Sequence, residues 1–320
     1  MADIKGNITV FSINQNKIIM KFNFYKNKFK KIKKILNLIV ENSIVYVSDN
    51  MGFLYAYDLK KGSIIWAKNY KIPFSSNLKI FEKKLIAANQ NNDLYYFNKS
   101  NGEMLNLIPT EETIFKNEFT NNLSLNGQIV LYLNTYGTLY ALNNRTMNIL
   151  WFSNLNQSVD LNPSNLFNGS KVINDKKVIV VSSNQFTYII DIVSGSILYK
   201  YNFVSLIKPI IYNNYLFLVT KNNLLICIDL KKGNLVYSYN INEQISDYFN
   251  IKERSAKFKN MMIVNNKIFI FLENSYLLKY NAKGNLENIE KINPKIFSNI
   301  IIIDDSLLYI DNKNKLLILN

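Results

Sequence analysis

The 320-residue chain contains no histidine and one cysteine, Cys227, which excludes internal disulfides, cysteine zinc cages, His-ligated metals, Ser-His-Asp or Cys-His nucleophiles and imidazole acid–base chemistry. Its formal charge of +15 is almost all lysine, with Arg145 and Arg254 the two arginines, and it accompanies abundant Asn and Ile; this reads either as compositional bias or as a device for an anionic partner, although phosphate-gripping grooves generally add arginine forks. Hydrophobic residues at 48%, with 21 Tyr and 20 Phe against 5 Pro and 10 Gly, supply a sizeable β-rich core and argue against disorder.

The opening MADIKGNITVFS has no basic-then-apolar leader, and no window reaches about 18 uninterrupted apolar residues, so these residues encode neither export nor a membrane span. Two strands are predicted at residues 7–11 and 17–22. FYKNKFKKIKK follows at residues 24–34, where Lys26, Lys28, Lys30, Lys31, Lys33 and Lys34 interleave with Phe29, Ile32 and Ile35. This run is a short helix or an extended loop. It is read either as a solvated connection or as a segment that binds an anionic surface, lipid or nucleic acid.

A repeat then becomes explicit in IVYVSDNMGFLYAYDLKKGSIIW, residues 44–66: an apolar strand, a polar turn with Gly52, a strand ending at Asp58, a tight turn with Gly62, and a strand reaching Trp66. Five further copies follow, beginning at LIAANQ, IVLYLN, VIVVSS, LFLVTK and IFIFLE. The first turn gives a column of Gly6, Gly52, Asn92, Gly137, Gln185, Asn223, Ser275 and Asn314, with steps of 46, 40, 45, 48, 38, 52 and 39 residues. Six residues on stand Ser12, Asp58, Asn98, Asn143, Asp191, Asp229, Asn281 and Asn320, small polar side chains that open tight turns. Gly62, Gly102, Gly195 and Gly233 come four residues later, where a positive φ is easiest for glycine. Trp66, Trp151, Tyr199 and Tyr237 form an aromatic column on the outgoing strand, read as packing between repeats and not as a sugar or cofactor platform. Cys227 takes the small-residue place of Ala56 and Ala141 and is read as packing. Four short strands per repeat, bounded by turn residues, predict a propeller blade and exclude a helical solenoid.

Two connections are longer and mix apolar residues with carboxylates: IPTEETIFKNEF at residues 108–119 and NLNQSVDLNPSNLF at residues 154–167. Glu111, Glu112, Ile114, Phe115, Leu161 and Phe167 are the candidate partner-binding residues. Their apolar members either anchor an interface or tuck under their own blades. Asp160, Asp175 and Asp247 fall singly in separate loops and build no acid–base or calcium site. No catalytic, metal or cofactor residue is expected.

GFLYAYDLKKGSIIW and GTLYALNNRTMNILW closely match the pyrroloquinoline-quinone-like propeller repeat, whose unit runs from an aspartate–glycine turn through a Leu-Tyr-Ala-Leu-Asp strand and a Thr-Gly-Lys turn to a Trp strand. The resemblance covers essentially the whole chain, and WD and kelch patterns fit worse. The quinoprotein dehydrogenases that name the repeat are much longer and stack their cofactor on a vicinal disulfide beside a calcium cluster, features without counterparts here. The chain instead resembles the BamB-like outer-membrane assembly lipoproteins of this family. That resemblance implies a monomeric, non-enzymatic scaffold on the periplasmic side of the outer membrane, anchored through an N-terminal lipid. Its partner would be the periplasmic domains of the barrel-inserting outer-membrane subunit, with no nucleic acid. The expected fold is one all-β domain, residues 1–320, a β-propeller of four-stranded blades. The expected count is eight blades, the first and last incomplete, with seven as the alternative. Eight repeats of about 44 residues exceed this chain by about 32, and the resemblance implies that the missing strands, preceded by a lipoprotein signal, lie upstream of Met1.

Overall fold

Short runs of β-branched and aromatic residues, cut at regular intervals by Asn, Asp and Gly, fold into antiparallel meanders. The computed structural model describes every residue except 27, 113–119, 157–166, 253–254, 299, 304–305, 314 and 320. Two compact units divide the chain, Met1–Asn168 and Gly169–Asn320.

The first unit begins with a hairpin of β1 (Asn7–Ser12) and β2 (Lys17–Asn23). Three four-stranded sheets follow. The first holds β3 (Leu36–Glu41), β4 (Ile44–Asp49), β5 (Phe53–Asp58) and β6 (Ser63–Asn69). The second holds β7 (Lys79–Phe81), β8 (Lys84–Ala88), β9 (Leu94–Asn98) and β10 (Met104–Ile108). The third holds β11 (Asn122–Asn126), β12 (Ile129–Leu133), β13 (Thr138–Asn143) and β14 (Asn148–Asn154).

The second unit repeats the plan. One sheet is β15 (Ile173–Asn174), β16 (Val178–Ser182), β17 (Thr187–Asp191) and β18 (Ile197–Tyr201). The next is β19 (Ile210–Tyr212), β20 (Tyr215–Val219), β21 (Leu224–Asp229) and β22 (Asn234–Asn240). After α1 (Ile241–Phe249) come β23 (Phe258–Val264), β24 (Lys267–Leu272), β25 (Tyr276–Asn281) and β26 (Leu286–Lys291). A three-stranded sheet of β27 (Ile301–Ile303), β28 (Ser306–Ile310) and β29 (Leu316–Leu319) ends the unit.

In most of the blades the middle strands are buried on both faces, which is why β4, β5, β8, β12 and β16 read as continuous apolar runs. Alternate side chains serve opposite neighbours. Leu85, Ala87 and Phe97 meet Tyr46, Leu54 and Ala56 of the preceding sheet, whereas Ile86 and Tyr96 meet Val130 and Tyr132 of the following one. In the second unit Val180 and Ile189 pack on Leu216 and Ile228, Phe217 and Cys227 on Ile270 and Leu278, and Phe271 on Tyr309. Every large side chain so enclosed stabilises the stack by roughly 1.5–3 kcal/mol. Four-stranded antiparallel blades stacked face to face are the repeating layer of a β-propeller, the all-β class expected from sequence.

The blade count is corrected from eight to the alternative of seven. Among the described residues seven sheets carry three or four strands, and β1 and β2 form only a hairpin. The hairpin caps the first blade on one face: Phe22 stacks on Tyr57 and Phe24 on Tyr55, with centroids 3.9 and 4.3 Å apart. Lys17, Ile18, Ile19 and Lys21 of β2 stay exposed.

The turn columns act through local hydrogen bonds. Asp58 Oδ1 accepts the amides of Lys60 and Lys61, Asp229 those of Lys231 and Lys232, and Asn143 those of Arg145 and Thr146. Gly62, Gly102, Gly195 and Gly233 all have positive φ. A register shift two residues before each opening Asp or Asn, as at Ala56/Tyr57, Ala141/Leu142 and Cys227/Ile228, absorbs the extra turn residue as a bulge.

The aromatic column joins one blade to the next. Trp66 lies where a Cβ on Gly102 would sit, 2.5 Å from it, and its Nε1 donates to the Lys99 carbonyl. Tyr199 covers Gly233 and donates to Lys231 O, and Tyr237 covers Gly284 and donates to Ala282 O. In the second blade the column residue is Asn106, and its neighbour carries Met147 in place of glycine; there Asn106 donates to the Met147 carbonyl. Aromatic and glycine are absent together.

The helix is the element the repeat does not foretell. It lies in the longest step of the turn column, the 52 residues from Asn223 to Ser275. Asn240 caps it by accepting the Asn242 and Glu243 amides, Asn250 ends it in the left-handed region, and Ile241 buries its first turn in the blade core.

Candidate interaction surfaces

The first-turn column is left-handed at Gly6, Gly52, Asn92, Gly137, Asn223 and Ser275, but not at Gln185; Asn314 lies outside the described residues. Three residues earlier stands a column that the repeat alignment contained and the reading of it passed over. Asp49 Oδ1 accepts the amides of Met51 and Phe53. Asn89 serves Asn91 and Asp93, and Asn134 serves Tyr136, Gly137 and Thr138. Asp311 does the same for Lys313 and Lys315. All four are buried. Shifting the column of turn glycines by three residues would have exposed this pattern.

Around two of these turns, tyrosines and carboxylates form closed networks. Tyr25 donates its hydroxyl to Asp49 Oδ2. Burial pushes the Asp49 carboxyl above its ordinary range, against the opposing pull of Tyr25 and three turn amides, and burial also raises Tyr25 and Tyr55. In the third blade Glu111 accepts from Asn134 Nδ2 at 2.9 Å, Thr138 Oγ1 at 3.0 Å and the Tyr140 hydroxyl. Burial, and then this bond to Glu111, raises Tyr140. By contrast Asp58 and Asp191, in exposed turns, are held below the usual carboxylate range by the amides of Lys61 and Ser194.

These contacts revise the candidate partner residues. Glu111 is an internal tie of the third blade, while Glu112 is exposed. Of the two readings of Phe167, an interface anchor or a residue tucked under its own blade, the geometry favours the second: it is only 2% exposed, and its ring lies 2.6 Å from the place of a Gly137 Cβ. The burial has a simple cause: an apolar side chain ending a long connection finds an open space above a glycine and fills it. Ile114, Phe115 and Leu161 lie outside the described residues, as does Asp160. Asp175 and Asp247 remain apart, and among the described residues no group of three or more His, Cys, Asp or Glu could hold a metal ion.

The basic segment is a loop, not a helix. Lys26, Lys28, Lys30, Lys31 and Lys33 are exposed, as are Phe29, Ile32 and Ile35 at 44, 43 and 58%. Lys34 departs from the expectation for its run. It is 4% exposed, donates from Nζ to the Phe29 carbonyl at 2.6 Å, and lies 5.3 Å from the centre of the Tyr25 ring. Asn50 clamps the far end by accepting the Ile35 amide and donating to the Lys33 carbonyl.

In the second unit, a cavity of about 440 Å³ opens between the blades of β19–β22 and β23–β26. Tyr212, Tyr215, Phe217, Tyr237 and Tyr239 wall it, and Cys227 lies at its lining. Burial pushes the Cys227 thiol up to about 12, so it stays protonated and inert, in keeping with its reading as packing. No helix among the described residues is long and apolar enough to cross a membrane.

The model of the family described as outer membrane protein assembly factor BamB matches residues 4–239 and, again, 116–320. In fold the chain is similar to BamB from Moraxella catarrhalis, with a TM-score of 0.79 at 11% identity over 99% of this chain and 92% of that one. It is also similar to the computationally designed Ika8 protein, with a TM-score of 0.71 at 11% identity over 99% and 91%. The C-terminal WD40 domain of Sif2 gives a TM-score of 0.63 at 11% identity over 89% and 82%. No curated protein matches at a significant level.

Proposed function

The chain belongs to the family of the outer membrane protein assembly factor BamB, and from that membership we propose that it is a non-enzymatic scaffold supporting the assembly of β-barrel proteins into an outer membrane. The observation that carries this reading is the family match along essentially the whole chain, in overlapping segments that together run from residue 4 to 320. The geometry supports it. Asp49, Asp58, Asp191, Asp229 and Asp311 spend their oxygens on turn amides, and Glu111 ties blade strands together, so the acids serve the fold. In this reading the protein works on the periplasmic side of the outer membrane and engages the periplasmic domains of the barrel-inserting subunit. Glu112, Ile114, Phe115 and Leu161 are the proposed contact residues in the first unit. The tyrosine-walled cavity offers a second unit's socket for an apolar partner side chain.

The test is affinity capture of the full chain from the native envelope. Recovery of the barrel-inserting subunit, reduced at least about tenfold by Phe115→Asp, is the expected result. Capture without that subunit, together with dye reduction on adding pyrroloquinoline quinone and calcium, would overturn the scaffold in favour of a dehydrogenase.

A further inference from the structure

Residues 4–40 contain nine lysines, Lys5, Lys17, Lys21, Lys26, Lys28, Lys30, Lys31, Lys33 and Lys34, and no aspartate or glutamate. Five of them crowd onto one exposed loop. Among the described residues none of Lys26, Lys28, Lys30, Lys31 and Lys33 is ion-paired. The carboxylate beneath the loop, Asp49, is buried and bound to Tyr25. Asp3, near the chain's start, is occupied by the Lys5 amide and by Asn7.

A loop that merely joined β2 to β3 would need no such construction. Lys28 N bonds Tyr25 O and Ile32 N bonds Phe29 O, so two tight turns follow one another. Phe29 adopts φ 56, a left-handed conformation unfavourable for an aromatic residue, and its ring nevertheless stays 44% exposed. What holds it is the layer below. The buried Lys34 ammonium takes the Phe29 carbonyl and lies against Tyr25, Tyr25 is tied to Asp49, and Asn50 pins both Lys33 and Ile35. One lysine of the run is thus spent on anchoring, and its neighbours are presented to solvent together with Phe29, Ile32 and Ile35.

We propose that this loop docks on an anionic lipid bilayer surface, with Lys28, Lys30, Lys31 and Lys33 facing the headgroups and Phe29, Ile32 and Ile35 seated at the headgroup boundary. Charge complementarity favours an anionic occupant, and the exposed aliphatic side chains favour a bilayer over a nucleic acid. Isoleucine gains free energy by leaving water for the acyl boundary, whereas phosphate-backbone readers use arginine forks and stacking, and this loop has no arginine. The inference stands independently of the protein partner proposed above.

The experiment is flotation of the full chain with vesicles of phosphatidylcholine containing one-third phosphatidylglycerol, against pure phosphatidylcholine vesicles and a random-sequence DNA duplex. The expected result is capture by the anionic vesicles alone, weakened at least about tenfold between roughly 0.05 and 0.5 M salt. The variant Lys28→Gln/Lys30→Gln/Lys31→Gln/Lys33→Gln loses a similar factor. Phe29→Ala/Ile32→Ser lowers vesicle binding about threefold or more at both salts, because apolar insertion is not screened. Thermal melting checks the fold of each variant, and the single Lys31→Glu replaces the fourfold change if that variant melts early. Equal capture by neutral vesicles, or capture indifferent to the lysine changes, overturns the proposal. Duplex binding as tight as vesicle binding and unaffected by Phe29→Ala/Ile32→Ser assigns the loop to nucleic acid instead.

Discussion

Apart from Asp311, which repeats the device of Asp49, the first turns of the second unit solve the first unit's geometric problem with different side chains. In the first unit Asp49, Asn89 and Asn134 each gather two or three amides of the turn they precede. In the second unit the equivalent places hold Ser182, Thr220, Leu272 and Asp311. Thr220 caps one amide, that of Leu224, and Leu272 can cap none. Yet Asn223 and Ser275 turn left-handed as Gly52 and Gly137 do. At Asn223 and Ser275 the left-handed path therefore forms without an Asp or Asn cap, and the cap adds stability to a conformation the turn reaches without it.

Four measurements would break or sharpen this contrast, taken from the largest effect down. Gly137→Ala should cost about 3–4 kcal/mol in denaturant unfolding, since φ is +99° and a Cβ would meet the buried Phe167 ring at 2.6 Å; a loss under about 1 kcal/mol would mean that Phe167 can swing away. Asp49→Ala should cost about 2–3 kcal/mol by stranding the Tyr25 hydroxyl and two amides, against about 1 kcal/mol for Thr220→Ala, and equal losses would erase the difference between the units. Ser275→Gly should cost about 1 kcal/mol, because stranding the buried Ile296 amide that Ser275 Oγ accepts at 2.8 Å outweighs the relief of a left-handed side chain.

The fourth and smallest effect is one of pH. The folded Asp49 pKa is raised above the unfolded value, so its contribution is fully present below pH 3.8 and is lost as pH rises through the folded value. Asp49→Asn keeps the amide-accepting oxygen and removes the buried charge. Its stability relative to the native chain should be greatest near neutrality and should decline as pH falls toward 4. A difference independent of pH would place the Asp49 proton elsewhere in the Tyr25 network.

What the sequence made legible was whatever acts within a few residues. The opening Asp and Asn of the second turns, the glycines after them and the aromatic column all work locally, and their recurrence exposes them. The bonds of Glu111 within the third blade were not legible because its partners lie 23 to 29 residues away. Lys34 was indistinguishable from the lysines around it, since only its seat over Tyr25 separates it from them. Phe167 stayed between anchor and packing in the sequence because its burial depends on Gly137, which is remote from it along the chain. The blade count failed for another reason: a period can be counted from turns alone, but a hairpin has a turn without having a blade.

The joint between blades has a direction. At three joints one blade donates an aromatic ring from its last strand and the next offers a glycine turn to it, as Trp66 meets Gly102, Tyr199 meets Gly233 and Tyr237 meets Gly284. A genetic duplication that copies one whole repeat therefore copies a plug and a socket of matching kind, and the new unit fits its neighbours head to tail without further mutation. A copy cut half a repeat out of phase still carries one of each. The pair of Asn106 with Met147 is then an exchange made on both sides of a single joint, which leaves the joints made by Trp66, Tyr199 and Tyr237 alike.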